Sequence, residues 1–299
     1  MNLKQYLTER TKLIEEVLLT YLPTLPKVAE QLESAMRYSL FAGGKRIRPI
    51  LALASAEAVG GDPQAVLPAA CALEFIHTYS LIHDDLPAMD DDDWRRGQPT
   101  NHKVFGEAQA ILAGDALLTH AFAILASPDY PVPIEAEKAL RIVWEVADAA
   151  GPLGMVGGQS ADISQEGTVQ EYDAPTVLRY IHTHKTGALL RAAVRTGAII
   201  AEASPEQLAA LTLYGENLGL AFQICDDILD ATGDPKLLGK PVKTDAQHKK
   251  LTYVTVHGLE EAKRAAYILA DQAIEALSDF DNAAEPLRAL ARYTVERQN

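Results

Sequence analysis

The sequence lacks the features that are typical of secreted, membrane-spanning and nucleic-acid-binding proteins. Only two cysteines, Cys71 and Cys225, occur among 299 residues, which is too few for a disulfide framework. No uncharged apolar run reaches the length of a membrane span, and residues 1–16 carry charge where a signal peptide would be apolar. A net charge of −14 argues against a general nucleic-acid surface. We therefore expect a soluble cytoplasmic protein without membrane insertion or a nucleic-acid partner.

Signals for β-strands and for linkers between domains are nearly absent as well. Apolar residues instead recur at spacings of three and four, which is the period of an amphipathic helix. The stretch from Ser204 to Gln207 has the pattern of a capping box, and Asp62-Pro63 begins another helix by the same logic. These patterns predict an all-α fold of roughly twelve helices. With no Pro/Gly/Ser linker, residues 1–299 are expected to form a single domain.

Two strongly apolar helical stretches, 69–85 and 211–230, each end in a cluster of aspartates. Asp226 and Asp230 share one helix face because they lie four residues apart. Crowded carboxylates repel each other unless a cation compensates, and Mg²⁺ prefers oxygen ligands together with substrate phosphates. The two clusters therefore predict magnesium ions that hold a diphosphate. The candidate ligands are Asp84, Asp85, Asp90, Asp226, Asp227 and Asp230.

The first cluster is less regular than the second because Pro87 interrupts the helix between its aspartates. Asp90 is therefore freed from the helical face and can turn back toward Asp84. The second cluster is followed by an irregular, lysine-rich stretch, residues 232–249. On composition, this stretch is either a mobile lid or an ordinary solvated loop.

Basic residues stand near both clusters in patterns that suit phosphate groups. A guanidinium matches phosphate geometry in a bidentate manner, and a neighbouring glycine lets the backbone approach a ligand. Alternatively, these cations only balance the aspartates, and His77 and Gln223 are satisfied core residues. The candidates for binding an anion are Gly44, Lys45, Arg48, His77, Arg95, Arg96, Lys185, Thr186 and Gln223.

Taken together, these motifs resemble the short-chain trans-prenyltransferases of the polyprenyl synthetase family, and among them the bacterial farnesyl diphosphate synthases. The resemblance implies the isoprenoid synthase fold, a large helical bundle around a central apolar cavity, and a homodimer. The matching pieces are Gly44-Lys45-Arg46-Ile47-Arg48-Pro49, His77, Asp84-Asp85 with Asp90, Arg95-Arg96-Gly97, Lys185-Thr186-Gly187, Gln223, Asp226-Asp227-Ile228-Leu229-Asp230, Gly239-Lys240 and Lys250-Leu251-Thr252-Tyr253.

The resemblance also implies a chemistry, the head-to-tail condensation of isopentenyl diphosphate with dimethylallyl or geranyl diphosphate. Three Mg²⁺ ions, for which Mn²⁺ can substitute, would bind mainly Asp84, Asp90 and Asp226 and assist ionisation of the allylic diphosphate. No side-chain nucleophile is needed. Arg95, Lys185 and Lys240 would hold the allylic diphosphate; Lys45, Arg48, His77 and Arg96, beside Gly44, would bind isopentenyl diphosphate; Thr186 and Gln223 would direct oxygen dipoles at the allylic cation.

Product length depends on a different pair of residues. Tyr79 and Ser80 lie about one helical turn before Asp84, where an aromatic ring can block the tunnel for the growing tail. By resemblance, Tyr79 and the longer first motif favour farnesyl diphosphate, a C15 product. Alternatively, Tyr79 faces another helix and limits nothing.

Other functions stay open at this point. A geranyl or geranylgeranyl diphosphate synthase would differ only in its tail-pocket residues, whereas a terpene cyclase would lack the motif from Asp226 to Asp230. A regulatory subunit of a prenyl synthase, which binds without catalysing, would be expected to lose one aspartate motif. A Mg²⁺-dependent diphosphate hydrolase would need no second substrate.

Overall fold

The chain folds as a bundle of α-helices, as the spacing of its apolar residues predicts. The structure, a computed structural model, describes residues 1–130, 132–165, 173–233 and 250–297. Within these ranges the helices are α1 (Leu3–Tyr21), α2 (Glu30–Leu40), α3 (Ile47–Ala58), α4 (Pro63–Asp84), α5 (Asn101–Phe105), α6 (Glu107–Leu125), α7 (Ala136–Ala150), α8 (Met155–Gln165), α9 (Ala174–Ile181), α10 (Ala188–Ile200), α11 (Pro205–Thr232), α12 (Tyr253–His257), α13 (Leu259–Glu275) and α14 (Glu285–Glu296). Short 3₁₀ turns cover Lys27–Ala29 and Asn282–Ala284, and a π-helical segment covers His182–Gly187.

Single glycines explain why the described residues contain more helices than the sequence suggested. Gly106 separates the short α5 from α6, and Gly258 separates the short α12 from α13. Both glycines have positive φ, 84° and 85°, a conformation that L-residues with side chains avoid. Each break therefore turns the chain within one residue, while the apolar periodicity runs on across it.

The predicted helix starts are confirmed. The Ser204 side chain accepts a hydrogen bond from the backbone N–H of Gln207, whose own side chain returns to the backbone of Ser204. Asp62 accepts from the N–H of Gln64 at the start of α4. These caps satisfy N–H groups that the first helical turn leaves without partners.

A small hairpin was not expected from the sequence. Strands β1 (Trp94–Arg95) and β2 (Gln98–Pro99) pair antiparallel, with Trp94 opposite Pro99. Arg96 and Gly97 have φ values of 52° and 78° at the turn between them. Such turns are usually marked by Asn-Gly, Asp-Gly or Gly-Gly, because both turn residues need a positive φ. Here only Gly97 fits that pattern, since an arginine with positive φ is rare.

Helix α4 lies at the centre of the bundle and packs against α1, α2, α3, α6 and α10. One hydrophobic cluster extends from Ile14 in α1 to Ala291 in α14. The crossing of α3 and α10 is tight, because a Cβ at Gly197 would lie 1.9 Å from the carbonyl oxygen of Ala52. The bundle therefore holds the aspartate-bearing end of α4 on a rigid frame.

Two helices are long and apolar enough to cross a bilayer, although the sequence analysis expected none. In α4, 78% of the most apolar window is buried inside the protein, as in the core helix of a soluble protein. In α6 the buried share is 39%, so part of an apolar face is left uncovered by this chain. Length and composition alone are weak evidence for a membrane span.

Candidate active site

A cavity of about 720 Å³ opens between α4, α8, α11 and the π-helical segment. Apolar side chains form much of its wall, and a few polar groups converge on it, as is usual for small-molecule sites. The predicted site residues that line it are Arg48, His77, Tyr79, Ser80, Asp84, Lys185, Thr186 and Asp226. The cavity thus brings together residues from five of the matching sequence pieces, those of Arg48, His77, Asp84, Lys185 and Asp226.

The first aspartate motif forms a return loop at the end of α4. The backbone N–H of Asp90 donates to the carbonyl oxygen of Asp84 at 2.9 Å, so the chain turns back as Pro87 led us to expect. Oδ1 of Asp90 accepts a hydrogen bond from Nζ of Lys250, also at 2.9 Å. The charge of Asp90 therefore acts on the carboxyl of Asp84, although only Asp84 is among the residues that line the cavity.

Within this motif, Asp84 is the carboxyl group whose pKa is raised most. Burial raises the pKa of its carboxyl to about 6, Lys185 opposes this effect, and Asp90 adds to it. A hard cation bound by carboxylate oxygens would relieve both the burial cost and the repulsion. The carboxylates of Asp84 and Asp226, which both line the cavity, therefore offer the oxygen ligands that Mg²⁺ prefers.

Asp85 has a different environment from Asp84. Its side chain is buried, and Oδ1 accepts a hydrogen bond from Nε of Arg95 at 2.7 Å and forms an ion pair with Nη2 of the same guanidinium at 2.5 Å. Arg95 also contacts Asp92 at 3.6 Å. Asp85 therefore anchors Arg95 in the absence of metal and substrate.

The second aspartate motif divides between the cavity and the interior. Asp226 lines the cavity, whereas Asp227 and Asp230 are buried. Asp227 accepts from Nε2 of Gln223 at 3.0 Å and from the backbone N–H of Tyr253 at 2.6 Å. Nε2 of His182 lies 3.2 Å from its Oδ2. Asp227 thus ties α11 to α12 and to the π-helical segment.

Of the residues expected to bind isopentenyl diphosphate, Arg48 and His77 line the cavity and form its basic end, whereas Lys45 and Arg96 are not among the residues that line it. The guanidinium of Arg96 lies against Gly44, where a Cβ would approach it to 2.7 Å, and it donates to the carbonyl oxygen of Gly43. Burial lowers the pKa of Arg48 to about 10. Burial and nearby Arg297 lower the pKa of Lys45 to about 8. Several cations held this close together suit an anion.

His77 faces this basic group from α4. Burial first, and then the charges of Arg48 and Arg96, hold the pKa of its imidazole well below the usual range. The imidazole is therefore neutral at neutral pH and can donate a hydrogen bond without adding a charge.

Lys185 and Thr186 project from the π-helical segment, a rare element that often occurs at functional sites. The Thr186 hydroxyl donates to Oε1 of Gln223 at 2.6 Å. Because its proton is committed there, the lone pairs of the hydroxyl oxygen are left for the cavity. Gln223 itself does not line the cavity and acts through Thr186 and Asp227.

Tyr79 and Ser80 line the cavity one turn from Asp84, as predicted. The Tyr79 ring meets the His83 ring edge to face, with centroids 5.7 Å apart. Its side chain is almost completely buried, so its position is fixed by packing.

The last predicted residue, Lys240, lies outside the described residues, as does most of the expected lid. Of residues 232–249, only Thr232, which ends α11, and Gly233, which caps it, are described.

Sequence reasoning missed three residues of the site. Asp162 of α8 accepts a hydrogen bond from Nζ of Lys185, Lys250 binds Asp90, and Arg297 binds Asp226. Lys250 was recognised only as part of a motif. Nothing in the local sequence marks Asp162, because the helix α8 that carries it meets the Lys185 backbone, at Gly158, only in the folded protein. Nothing in the local sequence marks Arg297 as a partner of Asp226.

An all-α bundle whose central cavity carries two aspartate motifs and a basic end defines the isoprenoid synthase class. Residues 29–289 match the model of the polyprenyl synthetase family, and the chain belongs to this family of prenyltransferases. A geranylgeranyl diphosphate synthase of Cyanophora paradoxa is 47% identical over all of this chain and 97% of its own length. A farnesyl diphosphate synthase of Geobacillus stearothermophilus is 49% identical, with 95% of each chain covered.

Solved structures agree on the fold. The apo structure of an FPP/GFPP synthase from Zymomonas mobilis superposes with a TM-score of 0.87 at 39% identity, covering 98% of this chain and 99% of the other. The names of the relatives include both farnesyl and geranylgeranyl synthases, so the expectation of a specifically farnesyl-forming enzyme is not confirmed by similarity.

Proposed function

We propose that this protein condenses isopentenyl diphosphate with an allylic diphosphate, head to tail, in isoprenoid biosynthesis. The observation that carries this proposal is the shared cavity, on which Asp84 and Asp226 face the same space as Lys185 and Thr186. Family membership supports the reaction class. The main hydrophobic cluster, which extends from α1 to α14, supports a single domain over residues 1–299, and a cytoplasmic location is part of the proposal.

The metal requirement follows from the carboxylates. Asp84, Asp90 and Asp226 would hold Mg²⁺, with Asp85, Asp227 and Asp230 supporting them. When bound, the metal would neutralise the diphosphate and make it a better leaving group. The buried positions of Asp85 and Asp227 favour support through Arg95 and Gln223 rather than direct contact.

The protein's own cations complete the two substrate sites. Burial opposes the charge of Lys185, but Asp162 and Asp84 outweigh it and raise the pKa of its ammonium, which therefore stays charged beside the allylic diphosphate. Arg95 and Lys240 would bind the same group. At the basic end, Lys45, Arg48 and Arg96 would bind isopentenyl diphosphate, with a neutral hydrogen bond from His77.

The apolar cavity and Thr186 would handle the reactive carbon. Oε1 of Gln223 accepts a hydrogen bond from the Thr186 hydroxyl. The lone pairs of the hydroxyl oxygen, the negative end of its dipole, are therefore directed at the cavity. Such a fixed dipole stabilises positive charge that develops on an allylic carbon. The walls would exclude water, which would otherwise capture the cation and yield an alcohol.

We further propose farnesyl diphosphate as the main product, with Tyr79 as the floor of the tail site. Its buried ring stands one turn below Asp84, beside Ser80. Geranylgeranyl diphosphate is the second candidate, favoured by the name of the Cyanophora paradoxa relative.

A homodimer is part of the proposal. Ile111 and Leu112 of α6 are exposed, as are Leu140 and Trp144 of the adjoining α7, with Trp144 61% exposed. Exposed apolar side chains on neighbouring helices are typical of a surface that another chain covers. A second copy placed against α6 would cover the part of its apolar face that this chain leaves open.

The deciding experiment incubates the purified protein with isopentenyl diphosphate, dimethylallyl or geranyl diphosphate, and Mg²⁺, and identifies the products by mass spectrometry. We expect condensation that stops when the metal is chelated. Release of inorganic phosphate without isopentenyl diphosphate would indicate a hydrolase. Absence of any product with Mg²⁺ present would contradict the proposal and favour a regulatory subunit.

A further inference from the structure

The side chain of Arg297 folds back from the end of α14 onto α11. Its Nη2 donates to Oδ1 of Asp226 at 2.7 Å and to the carbonyl oxygen of Phe222 at 3.2 Å. The guanidinium lies over the Phe222 ring, 4.0 Å from its centroid. The side chain is only 5% exposed, so packing holds it at the cavity wall that Phe222 and Asp226 form.

This contact uses the carboxylate that the proposed reaction assigns to a metal. A guanidinium and a divalent cation next to the same carboxylate repel each other, and the repulsion is strong where water is scarce. Metal binding at Asp226 therefore competes with Arg297.

The first motif contrasts with this arrangement. Among the described residues, no cation bonds to the Asp84 carboxylate, because the nearby Lys185 bonds to Asp162 instead. Asp84 and Asp226 thus differ before any metal arrives: no described cation bonds to Asp84, although Lys250 bonds to Asp90 of the same motif, whereas Arg297 bonds to Asp226.

We propose that Arg297 is a positioning residue for the second aspartate motif, the cation that Mg²⁺ must displace from Asp226. This inference rests on the proposed function, because it assumes that Asp226 is a metal ligand. Arg297 holds the carboxylate in place in the metal-free protein and lowers its affinity for metal. A metal site at Asp84 then fills at lower metal concentration than one at Asp226. Displacement of Arg297 also uncovers the Phe222 ring, which couples metal binding at Asp226 to the shape of the cavity wall.

The test is a titration of the full chain with Mn²⁺ alone, with free Mn²⁺ measured by electron paramagnetic resonance. The wild-type protein is expected to show two classes of site, of which the weaker disappears in Asp226→Asn. In Arg297→Gln, the weaker class should bind about three- to tenfold more tightly, the range between an exposed ion pair and a charged hydrogen bond. Arg297→Lys, which keeps the charge, should bind like the wild type.

The matched control is Arg292→Gln, since Arg292 lies on α14 but pairs with Glu285 away from the cavity. Its Mn²⁺ affinities should equal those of the wild type, and circular dichroism should confirm that every variant is folded. Unchanged affinity in Arg297→Gln, in a wild-type protein that binds Mn²⁺ and forms product, would overturn this inference alone. A wild-type protein that binds no Mn²⁺ would overturn the proposed function together with it.

Discussion

Nζ of Lys185 donates a hydrogen bond of 2.6 Å to Oδ2 of Asp162, which joins the π-helical segment to α8. Asp162 is buried, and Gly158 on the same helix packs directly against the Lys185 backbone. A Cβ at Gly158 would lie 2.1 Å from the Lys185 nitrogen. Both the backbone and the ammonium of Lys185 are therefore positioned by α8, a helix that carries none of the residues predicted from the sequence.

We expect Asp162→Asn to impair binding of the allylic diphosphate. The substitution keeps the shape of the side chain but removes the charge that fixes Lys185 and helps to raise its pKa. The kcat/KM for the allylic substrate should fall about tenfold, as is typical when a positioned charge loses its anchor. Steady-state kinetics with the allylic diphosphate varied at saturating isopentenyl diphosphate measures this effect.

The control for this prediction is Asp271→Asn on the exposed surface of α13, which should leave the kinetics unchanged. A fall in kcat/KM for isopentenyl diphosphate alone would show that Lys185 serves the other substrate.

Neighbouring aspartates of the second motif should respond differently to substitution. Asp226→Ala removes a cavity-facing carboxylate that is 43% exposed, so turnover should collapse by orders of magnitude while the metal-free protein stays folded. Asp227→Ala leaves the Gln223 amide and the Tyr253 N–H without partners. It should lower the free energy of unfolding by about 2–3 kcal/mol.

Urea unfolding of both variants in chelator, together with product assays, tests this contrast. Equal loss of stability in the two variants would contradict the division of the motif into a cavity-facing and a supporting residue.

The sequence was sufficient for the helical class and for part of the cavity lining, including Arg48, Asp84 and Asp226, but not for the wall that α8 contributes. The repeating apolar spacings predicted the helices, and Pro87 predicted the return of Asp90 toward Asp84, because both depend on local sequence. Contacts between residues that are distant in the sequence could not be predicted in this way. Asp162 and Arg297 meet Lys185 and Asp226 only after the helices pack, so their roles depend on tertiary structure.

The same limit applies to residues assigned by spacing alone. Asp227 is one residue from Asp226, yet the helix turns its carboxylate to the interior, where Gln223 and Tyr253 bind it. Motif membership therefore predicted the cluster correctly, while the direction of each side chain required the packing of α11.

Stability should depend on pH through His77. Burial and neighbouring arginines lower the pKa of His77 in the folded protein. Below the unfolded pKa, the unfolded chain therefore binds a proton at this imidazole that the folded chain does not bind. Its contribution to stability is therefore complete above the unfolded pKa of about 6.5 and is lost as the pH falls below it. Between pH 7.5 and 5.5, the wild-type protein should lose about 1 kcal/mol more stability than His77→Gln.

Urea unfolding across this pH range measures the difference, with His257→Gln on the exposed α12 as the control for removing an imidazole. Nuclear magnetic resonance provides an independent check, since the ring protons of His77 should not titrate down to pH 5.5. A His77 signal that titrates near its ordinary pKa would refute the buried, neutral imidazole.

Product length should respond to Tyr79 if its ring closes the tail site. Tyr79→Ala removes the ring that packs against His83 and extends the cavity along α4, so products longer than C15 should accumulate. Tyr79→Phe keeps the ring, loses only the hydroxyl, and should keep the wild-type product. Liquid chromatography with mass spectrometry of dephosphorylated products, at equal substrate ratios, measures the distribution. An unchanged distribution in Tyr79→Ala would mean that the tail turns away from α4 before it reaches this ring, and the residue that limits its length would then lie on another wall of the cavity.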